Sequence, residues 1–143
     1  MKKQLAHVCS KRGATTVEVA LSFPLASADT IVEAVRAQLQ ATPCQLAVFD
    51  HIPSNYGFVM PVQQLVELCH SHGTPVLVDG AHSLGPLELD LATLGADFYV
   101  TNAHKWFSAP KGVALLYVAP QYQPLVEYKC IFSKKKKKKK KKR

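Results

Sequence analysis

Residues 77–106 read LVDGAHSLGPLELDLATLGADFYVTNAHKW, and the fold turns on this stretch. An apolar run from Pro75 to Val78 ends on Asp79, and a turn of small residues carries His82 three positions later. A second apolar run, Phe98 to Thr101, ends just before His104 and Lys105. Short strands buried in an α/β sheet read as unbroken apolar runs rather than alternating ones. Both runs are therefore expected to be core strands that deliver polar residues at their carboxyl ends, where open α/β sheets bind ligands.

Outward from these runs, the chain alternates between helix and strand. MKKQLAHVCSKRG reads as a helix with Leu5 and Val8 on its apolar side and Gly13 at its end. TTVEVAL (Thr15 to Leu21) carries the period-two pattern of a strand. SADTIVEAVRAQLQ opens a helix with Ser27 as candidate cap, Thr30 and Glu33 as a capping box, and Ile31, Val35 and Leu39 on one face. Gln45 to Phe49 is a second strand, ending on Asp50 and His51. Pro61 suits the first turn of a helix in which Val62, Leu65, Val66 and Cys69 fall at i, i+3, i+4 and i+7, and which Gly73 stops. Pro75 to Asp79 is the third strand, Leu91 to Leu94 a helical turn and Asp97 to Thr101 the fourth strand. Val113 to Val118 follows a Pro110–Gly112 turn as the fifth. This order argues for an α/β fold, a mostly parallel sheet flanked by helices.

At 143 residues and 48% apolar, the chain has the length and composition of one globular domain. No apolar run approaches the about 20 residues that span a membrane. The N-terminus lacks the apolar centre of a signal peptide, and the scattered Cys9, Cys44, Cys69 and Cys130 form no disulfide framework or zinc motif. These features point to the cytoplasm. Cys69 is expected in the core, and His70 and His72 as exposed helix-end residues rather than metal ligands. The net charge of +8 comes from Lys134 to Arg143, whose ten positive charges leave eight basic against ten acidic residues, a body at −2. Residues 133–143 are expected to be a disordered tail that binds nucleic acid only non-specifically. The run also matches a translated adenine tract, since AAA encodes lysine, and that reading is preferred.

An acid at the end of one strand and a lysine just past the next suit pyridoxal phosphate. The cofactor withdraws electrons only while its ring nitrogen stays protonated, and a carboxylate holds that proton. A lysine holds its aldehyde as a Schiff base and later carries protons. Asp79 is the candidate pyridinium partner and Lys105 the candidate Schiff-base residue.

DGAHSLG, followed by GADFYVTNAHKWFSAPKGVALLYV, resembles the class V aminotransferase family of fold-type I pyridoxal phosphate enzymes, in particular its isopenicillin N epimerase-like and cysteine desulfhydrase/desulfurase-like branch. The 26-residue spacing from Asp79 to Lys105, the histidine at acid-plus-three, the His-Lys pair and the following Pro-Lys-Gly carry the likeness. The resemblance implies that residues 1–132 are part of a pyridoxal phosphate-binding large domain and that the strand after the lysine runs antiparallel. It implies that His82 meets the cofactor's phenolic oxygen or ring. Ser54, in HIPSNYG, would lie near the same oxygen or else form a turn. His104 would help hold the phosphate, and Asn102, three before the lysine, stands where relatives often carry a hydroxyl; its amide can still donate. Trp106 and the Asp50–His51 pair also suit that branch, the pair as structural residues.

The implied reaction is C–S cleavage, epimerisation or amino transfer on an amino acid, in proteins that are generally homodimers. The resemblance covers only the central part of a family member. It lacks the upstream phosphate loop and ring-stacking aromatic, and the downstream small domain with its substrate-clamping arginine. The chain is thus expected to be partial and poorly active, or a silent fold that binds a longer partner. Purified chain given pyridoxal phosphate and cysteine should release sulfide or pyruvate far below ordinary enzyme rates; turnover at those rates contradicts the expectation.

Overall fold

Apolar residues at helical and strand spacing organise residues 2–126, the part of the chain that the computed structural model describes. The order is α1 (Lys2–Arg12), α2 (Ala28–Ala41), β1 (Ala47–Asp50), α3 (Val62–Ser71), β2 (Val76–Asp79), α4 (Leu91–Leu94), β3 (Phe98–Asn102) and β4 (Ala114–Val118), then a 3-10 turn at Pro120–Leu125. The sheet runs β1-β2-β3-β4. The first three strands are parallel and β4 is antiparallel to β3. The α/β architecture is as the sequence predicts, and so is the reversed last strand. The poly-lysine tail and Cys130 lie outside the described residues.

Strand register sorts the side chains between two faces. Ala47, Phe49, Val76, Val78, Tyr99 and Tyr117 share one face, and all belong to or pack on the main core. Against them lie Ile31, Val35 and Leu39 of α2 and Val62, Leu65, Val66 and Cys69 of α3, the apolar stripes the helical spacing predicts. Each fully buried side chain of this size contributes roughly 1.5–3 kcal/mol. The opposite face carries half-buried Val48, Leu77, Phe98 and Val100, with Asp50, Asp79 and Asn102 at the strand ends.

Two local expectations fail. Residues 15–21 form no strand. An alternating pattern becomes a strand only where a neighbouring backbone supplies hydrogen bonds; here the segment is extended, with Val19 and Leu21 packed on the core and Val17 half exposed. The Thr30/Glu33 capping box does not form either, because α2 begins at Ala28, with Ser27 at the N-cap and no side-chain capping bond. Thr30 falls inside the first turn, and Glu33 instead accepts from Arg36 Nε at 3.2 Å.

Asp97 ties the layers together. It is buried, and its Oδ2 accepts from the Val76 amide at 2.7 Å and from His70 Nε2 at 2.8 Å. Its carbonyl accepts from the Ala119 amide at 2.8 Å. His70 is exposed, as expected, but its ring serves this knot. Among the described residues, no three or more His, Cys, Asp or Glu side chains cluster as metal ligands would.

Gly80, directly after β2, is the tightest junction. A Cβ there would run into the Tyr99 ring. Gly80→Ala should therefore destabilise the fold by about 1–3 kcal/mol in urea unfolding, the usual cost of overpacking. The penalty should shrink in a Tyr99→Leu background; an equal penalty in both backgrounds would show that the ring is not the cause.

Candidate active site

The parallel register places Asp50 directly beside Asp79 at the carboxyl ends of β1 and β2. Asp79 Oδ1 accepts from the Ala81 amide at 3.0 Å, which turns the chain sharply after the strand. Gly80 holds that turn against β3. Its amide donates to the Val100 carbonyl (2.7 Å), and its own carbonyl accepts from Thr101 Oγ1 (2.7 Å) and the Ser83 amide (2.9 Å). The turn thereby presents His82. From the other side, the loop after β3 brings Lys105 across, and its Nζ donates to His82 Nε2 at 2.9 Å. Two residues 23 positions apart in sequence meet over the ends of β2 and β3.

The electrostatics follow from this crowding. Partial burial, and then the Asp79 carboxylate, raise Asp50 above its ordinary value of 3.8, with His82 acting the other way. Asp50 and Asp79 are neighbours by strand register, and His82 touches Lys105. Between 3.8 and the raised value, the folded chain keeps a proton that the unfolded chain has released, so stability falls as pH rises through that window. Below the site, the Tyr99 hydroxyl is hydrogen-bonded to buried His51 Nδ1 at 2.9 Å, and burial raises the phenol. Burial also lowers His51 below 6.5. Cys69 is a core residue, its thiol pushed up to about 11 by burial and by Cys44. A thiol so hard to ionise is not a nucleophile.

The other expected site residues are spread around this centre. Asn102 ends β3 on the same sheet face as Asp79, and its Oδ1 is buried without a partner among the described residues. His104 is exposed, beside Lys105. Ser54 is exposed and, with His82, lines a cleft of about 310 Å³ whose apolar walls are Ile52, Pro53, Tyr56, Pro86 and Trp106. Sequence reasoning missed the His51–Tyr99 bond and the Asp97 knot, and Trp106 is 60% exposed.

The donor set suits pyridoxal phosphate. Asp79 Oδ2 receives no donor from the described residues, and a protonated ring nitrogen is such a donor. Lys105 supplies a primary amine. The Asn102 amide nitrogen and the His104 ring can donate to phosphate oxygens.

The mixed four-stranded sheet with its flanking helices matches part of the fold of fold-type I pyridoxal phosphate enzymes. Residues 5–131 match the family model described as aminotransferase class-V, and the chain belongs to that family. It is 44% identical over 123 residues to a putative L-cysteine desulfhydrase of Oryza sativa subsp. japonica, covering 82% of this chain and 26% of that protein. It is 41% identical over 96 residues to an isopenicillin N epimerase of Amycolatopsis lactamdurans, covering 67% of this chain and 24% of that one. Among solved structures, a cystine C-S lyase in complex with its product cysteine persulfide aligns with a TM-score of 0.73 at 28% identity, over 84% of this chain and 32% of that one. The chain thus spans about a quarter of the length of the curated relatives it matches. No helix among the described residues is long and apolar enough to cross a membrane.

His51 gives the site a pH signature. An unfolded histidine takes up its proton near pH 6.5, whereas the buried one resists it, so acidification favours unfolding. Stability supplied by neutral His51 is present above about pH 6.5 and is lost as pH falls toward the lowered folded value. His51→Asn should lose less unfolding free energy than the parent between about pH 7.5 and about pH 5; equal losses contradict this.

Proposed function

We propose that this chain carries the cofactor-binding centre of a pyridoxal phosphate-dependent enzyme that acts on an amino acid, with C–S bond cleavage as the reaction type. The contact of Lys105 Nζ with His82 Nε2, beside Asp79 at the neighbouring strand end, carries the reading. The names of the desulfhydrase and C-S lyase relatives support the choice of reaction. Residues 1–132 are read as part of the large domain of a homodimeric enzyme. The free state of Cys9, Cys44 and Cys69 fits a reducing compartment such as the cytoplasm.

When bound, pyridoxal phosphate supplies an electron sink for negative charge that develops on the substrate's α-carbon. Asp79 Oδ2 holds a proton on the ring nitrogen, and Asp50 alongside adds negative potential. Lys105 anchors the aldehyde and, once released, carries a proton to or from the substrate. His82 accepts from Nζ and sets its direction. With the cofactor bound, Ser54 would face its phenolic oxygen, and His104 and the Asn102 amide would donate to its phosphate.

After incubation with limiting pyridoxal phosphate and borohydride reduction, peptide mapping should find the pyridoxyl mass first on Lys105. Label spread over other lysines with none at Lys105 would overturn the reading. Asp79→Asn should weaken cofactor binding by about 1.5–3 kcal/mol, the worth of a hydrogen bond to a charged group, or roughly ten- to a hundredfold.

A further inference from the structure

We infer that Trp106, seated by Gly85, walls a subsite that receives the substrate's side chain and selects an uncharged one; the inference rests on the cofactor reading above. Trp106 is the chain's only tryptophan and is 60% exposed. Burial of an indole is among the larger apolar gains open to a fold, and here it is largely forgone. The residue is nonetheless held in place. A Cβ at Gly85 would lie 3.0 Å from the Trp106 Cβ, and Gly85 has φ +105, which L side chains rarely adopt. Two residues beyond Trp106, Ser108 has φ 54, a left-handed conformation uncommon outside glycine, so the loop is bent sharply just there. A constrained loop that holds a large aromatic side chain in solvent is the signature of a contact surface rather than of packing.

The cleft beside Trp106 is joined to the reactive amine. His82 lines it and also accepts from Lys105 Nζ. A substrate held at Lys105 would therefore project its side chain toward Tyr56, Pro86 and Trp106. Phe23 stacks on Tyr56, with ring centroids 4.7 Å apart, and braces that residue. The volume of about 310 Å³ is at the small end for ligand sites and suits one amino-acid side chain. No carboxylate, lysine or arginine lines it. Its polar lining is Ser54, Asn55 and His82, which offer hydrogen bonds but no fixed counter-charge, so a carboxylate or ammonium side chain would exchange water for weaker partners, whereas an apolar or thiol-bearing one loses little.

The reduced phosphopyridoxyl adducts of L-norvaline and L-aspartate separate the two layers of the argument, because they share the cofactor portion and differ only in side chain. Calorimetry with the full chain should show the norvaline adduct binding about tenfold or more tightly than the aspartate adduct. Its binding should also shift the Trp106 emission to the blue. The preference should fall toward unity in Trp106→Ala and in Gly85→Ala, which moves the indole without touching ligand, and should persist in Trp106→Phe. Equal affinity for the two adducts, or a preference unchanged in both variants, overturns the subsite and leaves the cofactor reading standing. Failure of both adducts to bind overturns the two together.

Discussion

The hydrogen bonds around Gly80 are the constraint on which the rest depends. One residue donates to β3 through its amide and accepts from Thr101 and Ser83 through its carbonyl, while its missing side chain makes room for the Tyr99 ring. Those contacts do three things at once. They lock the carboxyl ends of β2 and β3 in register, so that Asp79 and Asn102 emerge on one face. They reverse the chain so that His82 stands over the strand ends and meets Lys105. They also let Tyr99 fill the core beneath and hold His51 by its hydroxyl.

The site is arranged at some cost to the fold. Two aspartates end adjacent strands side by side, and burial, with that neighbour adding to it, makes Asp50 ionise less readily. A histidine is kept neutral by burial, Ser108 sits in a left-handed conformation, and an indole stays in solvent. None of these improves packing, and all lie at or near the same strand edge, where a site trades stability for placement. On the far side of the sheet, α2 and α3 pack apolar stripes on the core, and buried Asp97 is hydrogen-bonded to Val76 and His70.

Much of this architecture could be read from local pattern. Buried parallel strands leave continuous apolar runs, and α2 and α3 leave apolar residues three and four apart, so Val76–Asp79, Phe98–Asn102, Ile31–Leu39 and Val62–Cys69 were visible. Asp79 and Lys105 could be picked out by their places just after apolar runs, and His82 by the family resemblance; the meeting of Lys105 with His82 is what the structure adds. What pattern could not show depends on partners distant in sequence. Thr15–Leu21 alternates like a strand, yet no backbone runs beside it. His51 finds Tyr99 across 48 residues and His70 finds Asp97 across 27, and neither pairing leaves a local trace. The seat of Trp106 depends on Gly85, in a different loop.

The central claim is that Asp79 and Lys105 face one cofactor ring from neighbouring strand ends. It is tested most directly by nitrogen-15 NMR of ring-labelled pyridoxal phosphate bound to the chain. The account predicts a ring-nitrogen shift characteristic of the protonated form at neutral pH, reverting toward the unprotonated value in Asp79→Asn. A bound ring that is unprotonated in the parent chain, or one whose protonation is unchanged by that substitution, would contradict it.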